Sequence, residues 1–363
     1  MSELYIGLMS GTSGDGIDSV IVDLSQNMPI VTASLYQPYN KEISNSILSL
    51  AKSSNDEIAK LGELDVKLGQ EFAKTVNKLL SNANISPENI KAIGSHGQTI
   101  RHIPEKQYTL QIGDPNIIAA NTGITTVSDF RRKDMAHGGQ GAPLTPVFHK
   151  EVFASRDVNR AVVNIGGIAN ATFLACNSDN VIGFDTGPGN TLLDAWAKKN
   201  INKSYDENGD WAATGKTNRE LLKHLLKDKY FSLKSPKSTG PEYFNLEWLN
   251  NYLPKQHNPA DIQATLVELT ATTIANAIKE KFNDYELLIC GGGVQNQFLM
   301  QRLQELAKPN EVFSTEKYGI NPDLLEAIAF AWLAKQTINK NTINFSKVTG
   351  SKQPCILGGV YFK

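Results

Sequence analysis

Cysteine is scarce in this chain of 363 residues: Cys176, Cys290 and Cys355 are scattered, odd in number and lack the close spacing of a metal site. A disulfide-stapled or cysteine-metal fold is disfavoured, and the thiols are expected to be small buried groups in a reducing compartment. An excess of one charge is also lacking. With 36 Lys and Arg against 37 Asp and Glu, the net charge is −1, so no overall field draws the chain to nucleic acid or an anionic membrane. No apolar run reaches the roughly 18 residues that span a bilayer, and the opening residues lack a basic segment followed by an apolar one. The expectation is a cytoplasmic protein that binds small molecules. The chain is 40% hydrophobic, carries 28 glycines and is long enough for two domains.

The glycines are not evenly spread. In Leu8-Met9-Ser10-Gly11-Thr12-Ser13-Gly14-Asp15-Gly16-Ile17-Asp18 they separate two apolar runs, so the spacing predicts a hairpin with a small-residue turn. Glycine lets backbone N–H groups approach an anion, and the hydroxyls of Thr12 and Ser13 can bond phosphate oxygens. Asp15 and Asp18 would repel a phosphate unless a cation intervenes, which points to a magnesium-bound nucleotide. Taken alone, the same stretch also reads as a polar β-turn.

Residues 57–80 place Ile58, Leu61, Leu64, Leu68, Phe72, Val76 and Leu79 three or four apart, one face of an amphipathic helix. A short strand over 90–94 is expected to end in the polar run Ser95-His96-Gly97-Gln98-Thr99. Strand 108–112, a helix opening near Pro115 and strand 125–130 continue an α/β rhythm. Residues 131–146, with Arg131-Arg132-Lys133-Asp134 beside three glycines in four positions, read as a loop at a domain junction. They serve either as a solvated linker or as a clamp on a sugar or phosphate.

The opening pattern then recurs. Residues 161–174, with Asn164-Ile165-Gly166-Gly167-Ile168-Ala169-Asn170 at their centre, again predict strand, small turn and strand, as from an internal duplication. Two such turns could hold a polyphosphate from two sides. Strand 181–184 is expected to stop before Asp185-Thr186-Gly187-Pro188-Gly189-Asn190, putting Asp185 in a turn ahead of helix 191–199; a helix cap is the plainer role. Residues 200–258 are polar, with a short helix around 221–226 and a Ser/Pro/Lys loop over 232–241, and show no chemistry. A helix over 262–282 and a strand over 286–290 precede Gly291-Gly292-Gly293-Val294-Gln295-Asn296, where bare backbone could receive a flat adenine. Helices 297–306 and 322–336 and a strand within 355–362 complete the pattern, the last able to return to the first sheet.

Taken in order, the two hairpins, Gly-Phe-Asp-Thr-Gly-Pro-Gly-Asn and Gly-Gly-Gly-Val-Gln-Asn resemble the phosphate motifs, central Asp and adenosine motif of sugar kinases, actin and heat-shock ATPases. Within that superfamily, residues 9–18, Ser128-Asp129-Phe130-Arg131-Arg132-Lys133-Asp134 and Gly138-Gly139-Gln140-Gly141-Ala142-Pro143-Leu144 resemble the anhydro-N-acetylmuramic acid kinases. The resemblance implies an α/β fold of two actin-like (ribonuclease H-like) domains with a nucleotide- and sugar-binding cleft between them. The expected domains are 1–135 with 350–363, and 136–349. It implies an ATP- and Mg²⁺-dependent cytoplasmic enzyme, a homodimer, using Asp185 as general base. Nucleotide contacts would come from Gly11, Thr12, Ser13, Gly14, Asp15, Gly16, Ile17, Asp18, Asn164, Gly166, Gly167, Asn170, Gly187, Gly189, Asn190, Gly292, Gly293 and Asn296. Asp15 and Asp18 would lie on the metal side; Gln98, Thr99, Arg131, Asp134 and Glu326 would lie on the sugar side. Arg131 or Arg132 would take the lactate carboxylate. Two alternatives stay open: an ordinary hexose kinase, and an actin- or chaperone-like ATPase.

Overall fold

The first two apolar runs form β1 (Leu4–Ser10) and β2 (Gly16–Asp23), an antiparallel pair that β3 (Ile30–Pro38) extends. This computed structural model describes residues 2–11, 13–51 and 56–363. After α1 (Lys41–Ala51), α2 (Glu57–Ala83) buries Leu64, Leu68, Phe72, Val76 and Leu79, the face its periodicity predicts. It stops at Asn84, which takes the left-handed conformation common after a helix end. β4 (Ile90–Ile103), β5 (Tyr108–Ile112), α3 (Pro115–Thr122), β6 (Thr126–Ser128), α4 (Phe130–Ala136) and α5 (Pro146–Phe153) follow. Asp114 caps α3, accepting from the Asn116 N–H at 2.8 Å.

The pattern restarts with β7 (Arg160–Ile165), β8 (Ile168–Leu174) and β9 (Val181–Pro188). The helices α6 (Asn190–Ile201), α7 (Asp210–Thr214), α8 (Arg219–Leu225), α9 (Leu246–Asn250) and α10 (Pro259–Lys279) come next. β10 (Glu286–Cys290), α11 (Gln297–Ala307), β11 (Glu311–Ser314), α12 (Leu325–Ile338) and β12 (Gly359–Tyr361) complete the order.

One sheet runs β12-β6-β4-β1-β2-β3 with β5 paired to β4; the other runs β11-β10-β7-β8-β9. In both, the first strand pairs antiparallel with the second and parallel with a later crossover strand, and the second and third strands are antiparallel. Both sheets are thus built as an antiparallel meander of three strands continued by two parallel ones, the order of ribonuclease H-like and actin-like domains. The repeat read from the two hairpins is a repeat of topology. Each sheet has its own core: Ile6, Leu8, Leu68, Phe72 and Ile93 in one, Phe173, Trp196, Phe244, Leu266 and Tyr285 in the other. Among the described residues, no helix is long and apolar enough to cross a membrane.

Contacts divide the chain into Met1–Val152 with Leu324–Lys363, and Phe153–Asp323. The sequence reading drew these lines at 135/136 and 349/350. The difference comes largely from α12, which lies directly on the first sheet. A Cβ on Gly7 would land on the Ala327 carbonyl oxygen, and one on Gly94 on that of Phe330, so two glycines inside buried strands admit this helix. β12 pairs with β6, which returns the tail to the first sheet.

Three local expectations are corrected. The polar run 95–99 lies within β4, because the strand continues past its parallel pairing with β1 into a hairpin with β5. Residues 131–136 are helical, following Asp129 in the left-handed conformation, so only the glycine run is a loop. Asp185 belongs to β9 and pairs with Asn170; the residue that precedes α6 is Gly189.

Candidate active site

The first unit presents the turn between β1 and β2. Gly14, at φ 63°, closes it through a bond from its N–H to the Gly11 carbonyl at 3.2 Å. Ser13 Oγ donates to Asp15 Oδ1 at 2.6 Å, and both residues are exposed. Asp18 is half-buried on β2, beside Tyr36 in the ladder. Ile17 is a core residue of this unit, fully buried. Gly16 must be small, since a Cβ there would meet the Gln37 carbonyl and the Tyr36 ring. Thr12 lies outside the described residues.

Gln98 fastens this turn from below. Its Nε2 donates to the Gly11 carbonyl at 3.0 Å and the Thr99 carbonyl at 3.2 Å, while its Oε1 accepts from Ser10 Oγ at 2.6 Å. The side chain is fully buried with its amide engaged by the protein, so it builds the turn. Thr99 is bonded across the β4–β5 hairpin, its Oγ1 accepting from Gln111 Nε2 at 3.1 Å.

The two adjacent arginines point to different surroundings. Arg132 is exposed and paired with Asp129 at 2.7 Å. Arg131 donates through Nε to His96 Nε2 at 3.0 Å and through Nη1 to the Gly141 carbonyl at 2.8 Å. His96 Nδ1 lies 2.8 Å from the Gly97 carbonyl, which assigns the ring proton to Nδ1 and leaves Nε2 to accept. Burial, and then the nearby Arg131 charge, hold His96 well below its ordinary value. Glu326, in the first turn of α12, is pushed up by burial while the Arg131 charge opposes the rise. Asp134 is wholly buried: its two oxygens accept from Thr349 Oγ1 and the Gly141 N–H, each at 2.8 Å. It thereby shapes the 138–141 loop, and burial raises its carboxyl above the usual range.

In the second unit the turn between β7 and β8 is fastened by backbone. The N–H groups of Gly189, Asn190 and Thr191, at the start of α6, donate to the carbonyls of Gly167, Gly166 and Gly167 at 2.9, 2.8 and 3.0 Å. Asn190 Nδ2 adds a bond to the Ile165 carbonyl at 3.3 Å. Gly189 lies against Gly166, and Gly291 and Gly293 against Asn164 and Ile165, with no room for a Cβ at any of the three. A Cβ on Gly292 would meet only Asn190 Nδ2, at 4.0 Å, so the glycine run leaves open backbone beside the turn. Asn296 caps α11, accepting from the Leu299 N–H at 2.9 Å. Gly187 leaves room for the Phe231 ring.

Asp185 is held from three directions by a segment in which the sequence showed no chemistry. Its N–H donates to the Lys237 carbonyl at 3.2 Å, its carbonyl accepts from Tyr230 Oη at 2.7 Å, and its Oδ2 accepts from the Thr239 N–H at 2.9 Å. Tyr230 is in turn ordered by Asp228, which accepts from its N–H and from Tyr243, Trp248 and Tyr252. The ladder is irregular here: Asn170 opposes Asp185, but Ala169 opposes Gly187, leaving Thr186 as an extra residue. Such a bulge re-aims the side chains beside it.

The structure therefore brings Asn164, Gly166, Gly167, Gly189, Asn190, Gly292 and Gly293 together in one unit. In the other it groups Gly11 with Gly14 and Gln98, Ser13 with Asp15, and Arg131 with His96. Tyr230, Lys237 and Thr239 were missed. The sequence signal for them was a scatter of aromatics, Tyr230-Phe231, Tyr243-Phe244, Trp248 and Tyr252, in a polar stretch.

A family model described as anhydro-N-acetylmuramic acid kinase matches residues 3–363. Anhydro-N-acetylmuramic acid kinase from Coxiella burnetii (strain Dugway 5J108-111) is 51% identical over 365 residues, 99% of this chain and 98% of that protein. Its counterparts from Shewanella baltica (strain OS185) and Shewanella pealeana (strain ATCC 700345 / ANG-SQ1) are 50% and 48% identical. They cover 98% of this chain and 97% and 98% of their own lengths. With the shared topology of its two sheets and a match along its whole length, the chain belongs to the anhydro-N-acetylmuramic acid kinase family.

Proposed function

We propose that the chain converts 1,6-anhydro-N-acetylmuramic acid, ATP and water to N-acetylmuramic acid 6-phosphate and ADP, a step in the recycling of cell-wall material. Water attacks the anomeric carbon, the bond from that carbon to O6 breaks, and O6 takes the γ-phosphoryl group. Asp185 accepts the proton of the attacking water. The observation that carries this role is its fixation: the Thr239 N–H binds one carboxylate oxygen while bonds to Tyr230 and Lys237 pin the backbone on either side. A base held in one place keeps the short reach that proton transfer needs.

The β1–β2 turn, the β7–β8 turn at Gly166 and Gly167 and the open backbone at Gly292 are read as the nucleotide-binding elements. Asp15 and Asp18 fit Mg²⁺ held largely through water and nucleotide phosphates; among the described residues no cluster of three or more acidic, His or Cys ligands exists to cage a metal. Bound there, the ion would offset phosphate charge. Arg131, turned inward by His96, is the better candidate for the lactate carboxylate than the salt-bridged Arg132. On the family resemblance the enzyme works in the cytoplasm as a homodimer.

The test is turnover of the anhydro-sugar with ATP and Mg²⁺ in ¹⁸O-water. Label at C1 of the sugar phosphate is expected, and unlabelled product would overturn the hydrolytic step. Asp185→Asn is expected to lower kcat by several orders of magnitude with ADP affinity intact; retained turnover would remove Asp185 from the role.

A further inference from the structure

Asn170 stands directly opposite Asp185 in the β8–β9 ladder, next to the bulge. Residues so paired carry their Cβ atoms about 4.5–5.5 Å apart on one face of the sheet. The Asn170 Oδ1 atom is buried and accepts no hydrogen bond from any described residue. Its neighbours on β8 are otherwise occupied. Ala169, Ala171 and Phe173 are packed in the core, and the Ala169 carbonyl accepts from Thr186 Oγ1 at 3.1 Å. A buried acceptor left unmatched is costly, and an ordered water or a ligand is what completes such a group. An ionised carboxylate also only accepts hydrogen bonds. Two acceptors on adjacent strands call for one donor with two protons.

We infer that Asn170 is a catalytic residue that holds the attacking water together with Asp185: one water proton goes to the Asp185 carboxylate and the other is bonded by Asn170 Oδ1. This moves Asn170 from the nucleotide to the nucleophile, and it rests on the reading of Asp185 as base. With both protons tied, the water's lone pairs face away from Asp185 and Asn170, which leaves one of them free to point at the anomeric carbon. As the bond to that carbon forms, the proton bound to Asp185 is transferred and the Asn170 bond stays. The new C1 hydroxyl keeps the second proton, O6 leaves with its electron pair, and that pair forms the bond to the γ-phosphorus as ADP departs.

The test compares Asn170→Thr with Asn170→Val, side chains of nearly equal shape that suit a strand and differ by one hydroxyl. Both are read for kcat, for ADP affinity by titration, and for the product ratio in water containing methanol. Methanol has a single O–H proton, so it can engage Asp185 but cannot also donate to Asn170. The expected result is a kcat about 10- to 100-fold down in the Val variant and partly restored in the Thr variant, with ADP affinity within twofold of the parent. The share of methyl glycoside 6-phosphate should rise in the Val variant, because the preference for a two-proton nucleophile is gone. ADP affinity that falls while kcat holds would return Asn170 to the nucleotide and overturn the inference, as would equal kcat in all three proteins or an unchanged methanol share. Asp185→Asn, assayed in parallel, separates the two failures: full turnover there defeats the base assignment itself, whereas its loss beside an unaffected Asn170→Val defeats only the water-holding role.

Discussion

The two hairpins share one topology and are secured by opposite means. The β1–β2 turn is gripped by a side chain, Gln98, which reaches up from β4 to the Gly11 carbonyl. The β7–β8 turn is gripped by main chain, the first N–H groups of α6 bonding the carbonyls of Gly166 and Gly167. A side-chain anchor can be removed by one substitution without disturbing the backbone path; a main-chain anchor can be broken only by keeping the two backbones apart. The units around them differ as well. The first buries His96 and His149 and half-buries His102, whereas His224 and His257 of the second are exposed.

The largest difference expected between the units is acid sensitivity. Burial is the leading cause that lowers all three histidines, His102 and His149 to about 3. Unfolded histidines bind protons near pH 6.5, so between that pH and the folded values the unfolded chain holds more protons and stability falls as pH falls. Each group contributes a slope of up to about 1.4 kcal/mol per pH unit. The raised carboxyls Asp65, Asp134 and Glu326, lifted by burial, act in the opposite sense. Pulse hydrogen exchange at a fixed labelling pH, after incubation in urea at pH 7.5 and 5.5, should show 90–152 losing protection at the lower pH before 160–174. Equal loss in both would erase the contrast.

A main-chain anchor should be the harder to perturb gently. Gly189→Ala places a methyl on the Gly166 carbonyl, and overpacking of this kind costs about 1–3 kcal/mol. Thermal melting should fall, with ADP affinity reduced because the turn is displaced; an unaltered melt would mean that α6 slides without consequence. Gln98→Leu removes the side-chain anchor and leaves the Gly11 carbonyl and Ser10 hydroxyl short of one partner each, at about 1–2 kcal/mol. ATP KM should rise more than kcat falls, and steady-state kinetics at varied ATP distinguishes this from a sugar-binding role, which would raise the sugar's KM instead. Ser13→Ala, which loses one exposed bond to Asp15, should change stability by no more than about 0.5 kcal/mol in the same melt.

What sequence could show follows from how local each interaction is. The hairpins, the glycine turns and the α2 face are set by residues close in the chain, and all three were legible. The length of β4 was not, because residues 95–99 look like a polar loop until β5 pairs with them. Asp185 looked like a turn residue because its partners lie 45 to 54 residues onward, in a segment with neither periodicity nor a motif. Nothing near Gly7 or Gly94 in the chain marks their role, since what they accommodate arrives more than 200 residues later. In the candidate site, glycine and carboxylate positions could be named from sequence. Which of two adjacent arginines turns inward depends on His96, which only the fold brings to it.

The seating of α12 on Gly7 and Gly94 bears on how the chain is made. Phe153–Asp323 is one continuous stretch and can assemble as soon as it has left the ribosome. The first sheet emerges earlier and finishes later, because the helix that covers its glycine-lined face is encoded after the inserted unit. During synthesis the unit that starts first must wait with an apolar surface uncovered while the inserted unit folds, and the order of completion is the reverse of the order of translation.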